Sequence, residues 1–147
     1  MEKIKNIVLC CSMDEILLQQ LHNILAYPFP EETRFHFIHV FKVQLMMNDL
    51  TPFVFPSDEQ QESIRRFVQG QLQNLRKQLG LHHTNSVEEC FFDSNPRKRI
   101  LEYLDEVGAD LVVATTRPKH GMEGLFSSSF TDHLVKLAKC DCLILRP

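Results

Sequence analysis

Short apolar runs alternate along this chain with stretches of helical period. Ile4 to Cys10 is an apolar run ending in a polar turn, the pattern of a buried strand. Ser12-Met13-Asp14-Glu15 then has the form of a capping box, with Ser12 accepting from the N3 amide and Glu15 reaching back to the cap's N–H. Leu17, Leu21, Ile24 and Leu25 follow at helical spacing, and Pro28 and Pro30 end that helix. Arg34 to Val40 is the second predicted strand. Ser57-Asp58-Glu59-Gln60 is another capping box. It opens the longest helix, whose stripe is Ile64, Phe67, Val68, Leu72, Leu75 and Leu79, with Gly80 as its stop. Val87 to Phe92 is the third strand. Asn95 caps, and Pro96 begins, a helix through Ile100, Leu101, Leu104 and Val107 that Gly108 ends. Asp110 to Thr115 is the fourth strand and the strongest. After a polar loop, Ser127-Ser128-Ser129 leads into a helix carrying Phe130, Leu134, Val135, Leu137 and Ala138. Cys142 to Leu145 is the fifth strand.

Residues 41–56 form a long connection holding Phe41, Phe53, Phe55, Met46, Met47 and two prolines. A loop so long and apolar is expected to cover a cleft or to pack on a partner chain. The order of elements, β-α-β-α-β-α-β-α-β with continuously apolar strands, calls for an α/β fold. The expected architecture is a doubly wound, five-stranded parallel sheet with helices on both faces and right-handed crossovers. With no repeat or linker, residues 1–147 read as one domain. Ligands of such sheets bind beyond the carboxyl ends of the strands, where the strand order reverses. That selects the turns after strands one, two and four: 11–14, 41–55 and 115–129.

Composition removes several function classes. The hydrophobic share of 44% and charged share of 24% belong to a globular protein, and 147 residues suit one domain. A net charge of −3 opposes general nucleic-acid binding, which needs a basic stripe to replace phosphate counterions. No apolar run approaches the ~20 residues of a membrane span, and the start Met1-Glu2-Lys3-Ile4-Lys5 lacks the form of a secretory signal, so a cytoplasmic location is expected. Of the 5 glycines the first is Gly70, so no Gly-rich phosphate loop follows strand one. A Rossmann fingerprint and a Walker loop are excluded at their usual place. The 5 cysteines, Cys10, Cys11, Cys90, Cys140 and Cys142, read as reduced structural thiols. Cys140-Asp141-Cys142 lacks Cys-x-x-Cys spacing and opens a strand, so a metal site is not expected there.

Catalytic constellations are equally scarce. The histidines contain no His-x-x-x-His or His-Glu-x-x-His pattern, and His36 and His39 fall on opposite faces of a strand. His39 reads as a satisfied interior histidine, and no Gly-x-Ser-x-Gly elbow is present. Arg97-Lys98-Arg99 lies in the first turn of a helix, where cations oppose the dipole, and reads as a solvated patch. The loop after strand four is the most suggestive segment. Arg117, Lys119 and His120 supply positive charge, and the serine run offers helix N-terminal amides that suit a phosphate or sulfate. Simple capping by Ser128 or Ser129 is the competing account.

Ala109-Asp110-Leu111-Val112-Val113-Ala114-Thr115-Thr116-Arg117, the serine run, and Leu137-Ala138-Lys139-Cys140-Asp141-Cys142-Leu143-Ile144-Leu145 together resemble the C-terminal half of the universal stress protein family. Ser94-Asn95-Pro96 with Ile100-Leu101 is similar to that family's turn into its third helix, and Phe37-Ile38-His39-Val40 to its second strand. The resemblance is weakest between Phe41 and Gly80. It implies a parallel sheet of order 3-2-1-4-5 and, in many members, a dimer along the edge of the last strand.

The ATP-binding branch of the family carries Gly-x-x-Gly, nine residues, then Gly-Ser or Gly-Thr. On this chain those glycine positions hold Thr115, Pro118 and Ser128, and only Ser129 keeps the pattern. Gly121 and Gly124 are out of register, since Leu134 stands ten residues beyond Gly124. The family's aspartate at the end of strand one falls on Ser12. Phosphate-loop glycines let the backbone approach an anion with its N–H groups turned inward, and Pro118 has neither the N–H nor the freedom. Exchanging an aspartate for Ser12 removes a charge-assisted hydrogen bond of roughly 1.5–3 kcal/mol.

The expectation is therefore a non-catalytic stress-response protein of the degenerate, non-ATP-binding branch, without cofactor. It would act through protein contacts and a homodimer along Cys142–Leu145. The alternative is an adenine-nucleotide switch, holding ATP or AMP through Ser12, Val40, Thr115, Arg117, Lys119, Ser128 and Ser129. A nucleotide hydrolase is the third class, for which no base or metal ligand can be named.

Overall fold

The computed structural model describes residues 4–116 and 130–146. Along the chain run β1 (Asn6–Cys10), α1 (Glu15–Gln20) continued by a 3-10 segment over Leu21–Ala26, β2 (Arg34–Lys42), β3 (Gln44–Asn48), β4 (Thr51–Phe55) and α2 (Asp58–Gln78). Then come β5 (Ser86–Asp93), α3 (Pro96–Val107), β6 (Leu111–Thr115), a helix here called α4 (Phe130–Leu137), and β7 (Asp141–Leu145). Five strands make one sheet in the order β5-β2-β1-β6-β7, every neighbour parallel. Numbering those five in sequence gives the expected order 3-2-1-4-5. Among the described residues no helix is long and apolar enough to cross a membrane.

The two-residue period of the strands divides the core between the faces of the sheet. Ile7, Leu9, Phe35, Phe37 and Val113 pack with Leu21, Ile24, Val68, Leu72 and Leu75 from the 3-10 segment and α2. Val8, Ile38, Val112 and Ala114 pack with Ile100, Tyr103, Leu104 and Leu134 from α3 and α4. Asp110 fastens the start of β6 to β1, accepting from the amides of Lys5 and Asn6 at 2.8 Å each.

Most helix ends behave as their sequences dictate. Ser57 and Gln60 form the reciprocal box at α2. Asn95 accepts from the Lys98 amide, with Pro96 in the first turn of α3. Gly80 and Gly108 adopt φ of +72° and +61° just past α2 and α3.

Several expectations need correction. Ser12 does not cap α1. Asp14 does, its carboxylate accepting from Ile16 and Leu17, while the Ser12 hydroxyl accepts from the Asp14 amide at 3.2 Å. A carboxylate is the stronger acceptor for helix amides, and it draws the helix start two residues along the chain. Leu25, Phe67, Val135 and Leu137, assigned to apolar stripes, are exposed. Arg99 is not merely solvated. Its guanidinium lies over the Phe91 ring at 4.2 Å and pairs with Glu106 at 3.0 Å. The largest departure is 41–56, which is no loop: β2 runs on to Lys42, and β3 and β4 form a separate antiparallel hairpin.

Candidate functional site

The sheet order reverses beside β1, so the carboxyl ends of β2, β1 and β6 stand next to one another. Val40, Ser12 and Thr115 share that end, as a ligand crevice requires. Cys11 continues the β1–β2 pairing by donating its amide to the Ile38 carbonyl at 2.8 Å. All three residues are half-buried. Arg117, Lys119, Ser128 and Ser129, like His120 and Ser127, lie outside the described residues.

Beside this end opens a cleft of about 400 Å³. Its walls are Met13 from the turn after β1, His39 and Phe41 from β2, and Ser63, Ile64, Phe67 and Val68 from α2. The strand period explains it. Phe35, Phe37, His39 and Phe41 point to one face of β2. The first two are sealed in the core, whereas His39 and Phe41 run on beyond the last β1 pair, Cys10 with Ile38, and are only half covered. The first turns of α2 stand above them.

Among the described residues no charged side chain lines the cleft. His39 Nδ1 lies 2.7 Å from the Cys11 carbonyl, so Nδ1–H donates and Nε2 is left as an acceptor. Burial lowers the His39 pKa, the bond to Cys11 opposing it in part, and the imidazole is neutral at neutral pH. The Cys11 thiol is pushed up to about 12 by burial and bonds the Leu9 carbonyl, so it is no nucleophile. Among the described residues no cluster of His, Cys, Asp or Glu could hold a metal ion. The cleft can take a flat or apolar group and offers it two polar partners, His39 Nε2 as an acceptor and the Ser63 hydroxyl.

Sequence reasoning reached Met13 and Phe41 as parts of turns at the ligand end but did not assemble this cleft. The alternation over residues 35–41 was the available signal for His39. The contribution of Ser63 and Phe67 depends on where α2 lies over the sheet, which periodicity does not report.

Comparison with known proteins agrees with this architecture. A universal stress protein in complex with cAMP is 16% identical, with TM-score 0.71, covering 99% of this chain and 98% of the other. Universal stress protein UspA from Lactobacillus plantarum is 13% identical, with TM-score 0.68, covering 99% and 100%. The universal stress protein from Archaeoglobus fulgidus in complex with dAMP is 12% identical, with TM-score 0.61, covering 98% and 99%. At these identities the likeness establishes the fold alone. No curated protein matches the chain by sequence. The family model of the universal stress proteins, however, matches residues 30–146, four of the five sheet strands and both long helices, and the chain belongs to the universal stress protein family.

Proposed function

We propose that this chain is a non-catalytic universal stress protein that works through self-association and protein contacts, and that it has given up the family's tight grip on ATP. The observation that carries this reading is the end of β1. There the side chain in the family's aspartate position is Ser12, and its hydroxyl accepts the Asp14 amide. Two residues on, the Asp14 carboxylate holds two amides of α1. Turning it toward a ribose would uncap the helix, at about 1 kcal/mol. Thr115 and Pro118 in place of loop glycines argue the same way. Self-association along β7 is favoured by its position at the sheet edge, with Val135 and Leu137 exposed on the adjacent α4. A role without turnover, in the cytoplasm, completes the proposal.

Isothermal titration of the purified chain with ATP, AMP and cAMP tests the reading. Heats indistinguishable from dilution at micromolar protein are expected. Micromolar affinity for any of the three would overturn it.

That second result would favour an adenine-nucleotide switch, and one feature speaks for this alternative. The apolar cleft with its acceptor at His39 suits a planar base carrying an amino group, and relatives of the same fold have been solved with cAMP and dAMP. Ser12, Val40, Thr115 and Ser129 would then line the nucleotide, and Arg117 and Lys119 would meet its phosphates. Arg117→Ala with Lys119→Ala should weaken such binding at least tenfold; unchanged affinity would reject this phosphate arrangement.

A further inference from the structure

Residues 43–55 leave the sheet as an arm. Val43 donates its amide to the Asp93 carbonyl at 2.9 Å, and Phe55 packs on Phe41, which packs on Phe92, so the base of the arm is fixed to β2 and β5. Beyond the base, Leu45, Met46, Met47, Leu50, Phe53 and Val54 are all exposed, Leu50 to 93%. None of them joins either core cluster. The turn Asp49-Leu50 has φ of 44° and 71°, the type I′ form, with a leucine where asparagine or glycine would cost less. An isolated two-stranded hairpin is marginal in water. This one displays apolar side chains on both faces.

We infer that β3 pairs antiparallel with β3 of a second copy of this chain, around a two-fold axis at Met46, making a four-stranded sheet β4-β3-β3-β4. Two features select this occupant. The first is the free backbone. Asn48 and Thr51 close the turn as a hydrogen-bonded pair, so alternation turns the amides and carbonyls of Leu45 and Met47 outward on the β3 edge. On the β4 edge the corresponding position is Pro52, which has no N–H to give. Only β3 offers a complete edge.

The second feature is charge. Gln44 to Asn48 contains no ionisable residue, so a two-fold pairing sets no like charges together. In that register Gln44 faces the partner's Asn48 and Leu45 faces the partner's Met47. Asp49, the lone charge between Val43 and Phe55, falls opposite the partner's Val43 and so meets no like charge. An anionic lipid surface would instead call for basic residues on the arm, and there are none. This contact is separate from the β7 edge and stands whether or not the cleft holds a nucleotide.

Cysteine cross-linking reads the register directly. Met46→Cys should give a covalent dimer under mild oxidation, since facing residues at the axis come within disulfide reach. Gln44→Cys and the unmodified chain, with its native thiols, should give at least tenfold less. Leu45→Lys combined with Met47→Lys should lower the mass found by light scattering at least twofold, with the far-ultraviolet circular dichroism unchanged because neither residue belongs to the core. The inference is overturned if Met46→Cys cross-links no more than the unmodified chain and the lysine variant keeps its mass. Flotation of the unmodified chain with phosphatidylcholine vesicles, lost in the lysine variant and without Met46→Cys cross-linking, would also overturn it and assign the arm to lipid. Nucleotide titration is insensitive to all of these substitutions, so failure here leaves the functional reading to its own test.

Discussion

His36 sits buried on the α3 face of the sheet, with Nδ1 2.9 Å from the Tyr103 hydroxyl and Nε2 3.2 Å from Asn6 Oδ1. The amide oxygen of Asn6 accepts from Nε2–H, and Nδ1 accepts from the phenol, which fixes a neutral ring. Burial, helped by the Arg34 charge, lowers its pKa to about 4. An unfolded histidine titrates near 6.5, so the unfolded chain takes up the proton first as the pH falls. Stability from this group is complete above pH ~6.5, drains away toward pH ~4 and is level below, a loss of up to about 3 kcal/mol. His39, also lowered, acts in the same direction. Urea midpoints should therefore fall between pH 7.5 and pH 4.5, and His36→Phe should flatten that slope; equal slopes for the two proteins would refute the assignment. The sequence made His36 and His39 legible as opposite faces of one strand. It did not reveal the cap of α1, because Ser12 and Asp14 both offer an oxygen within three residues and only the folded turn decides between them.

At the scale of elements, glycine separates backbone geometry from packing. Gly108 follows α3 at φ +61° and Gly70 lies inside α2, and a methyl group added at either would meet nothing within 4 Å. Any effect of alanine at these sites is therefore conformational. Gly108→Ala should cost about 1–2 kcal/mol through the left-handed conformation. Gly70→Ala should gain about 0.5–1 kcal/mol by restricting the unfolded chain and favouring helix. Chemical denaturation of the two variants should shift in opposite directions, and a shift of the same sign in both would contradict the account. The helix ends were readable because each depends on a few adjacent residues. The β3–β4 hairpin was not. Its turn is Asp-Leu rather than Asn-Gly, Pro52 argues against a strand, and with both faces apolar the two-residue alternation that marks a half-buried strand is missing.

The fold of the whole molecule was the most legible level, since continuously apolar strands separated by amphipathic helices leave few ways to build a sheet. The cleft was less so, because β2 and α2 meet there only after the crossover is made. The two proposed self-contacts also belong to this scale. β7 lies at one edge of the sheet, and the arm is fixed to β2 and β5 at the other. Each contact would be isologous, with the same patch on both copies. Two different two-fold contacts on one chain close into a tetramer when their axes meet at right angles, into a larger ring at other closing angles, and otherwise extend as an open chain. Light scattering at micromolar concentration should give the mass of four chains or more for the unmodified protein. Leu45→Lys with Met47→Lys should leave a dimer held by β7. Val135→Glu with Leu137→Lys, changes at exposed positions of α4, should leave a dimer held by the arm that still accepts the Met46→Cys cross-link. Combining the two sets should leave a monomer. A monomer from the α4 changes alone would mean that the arm does not associate by itself, and a dimer from the combined set would mean that a third surface holds the copies together.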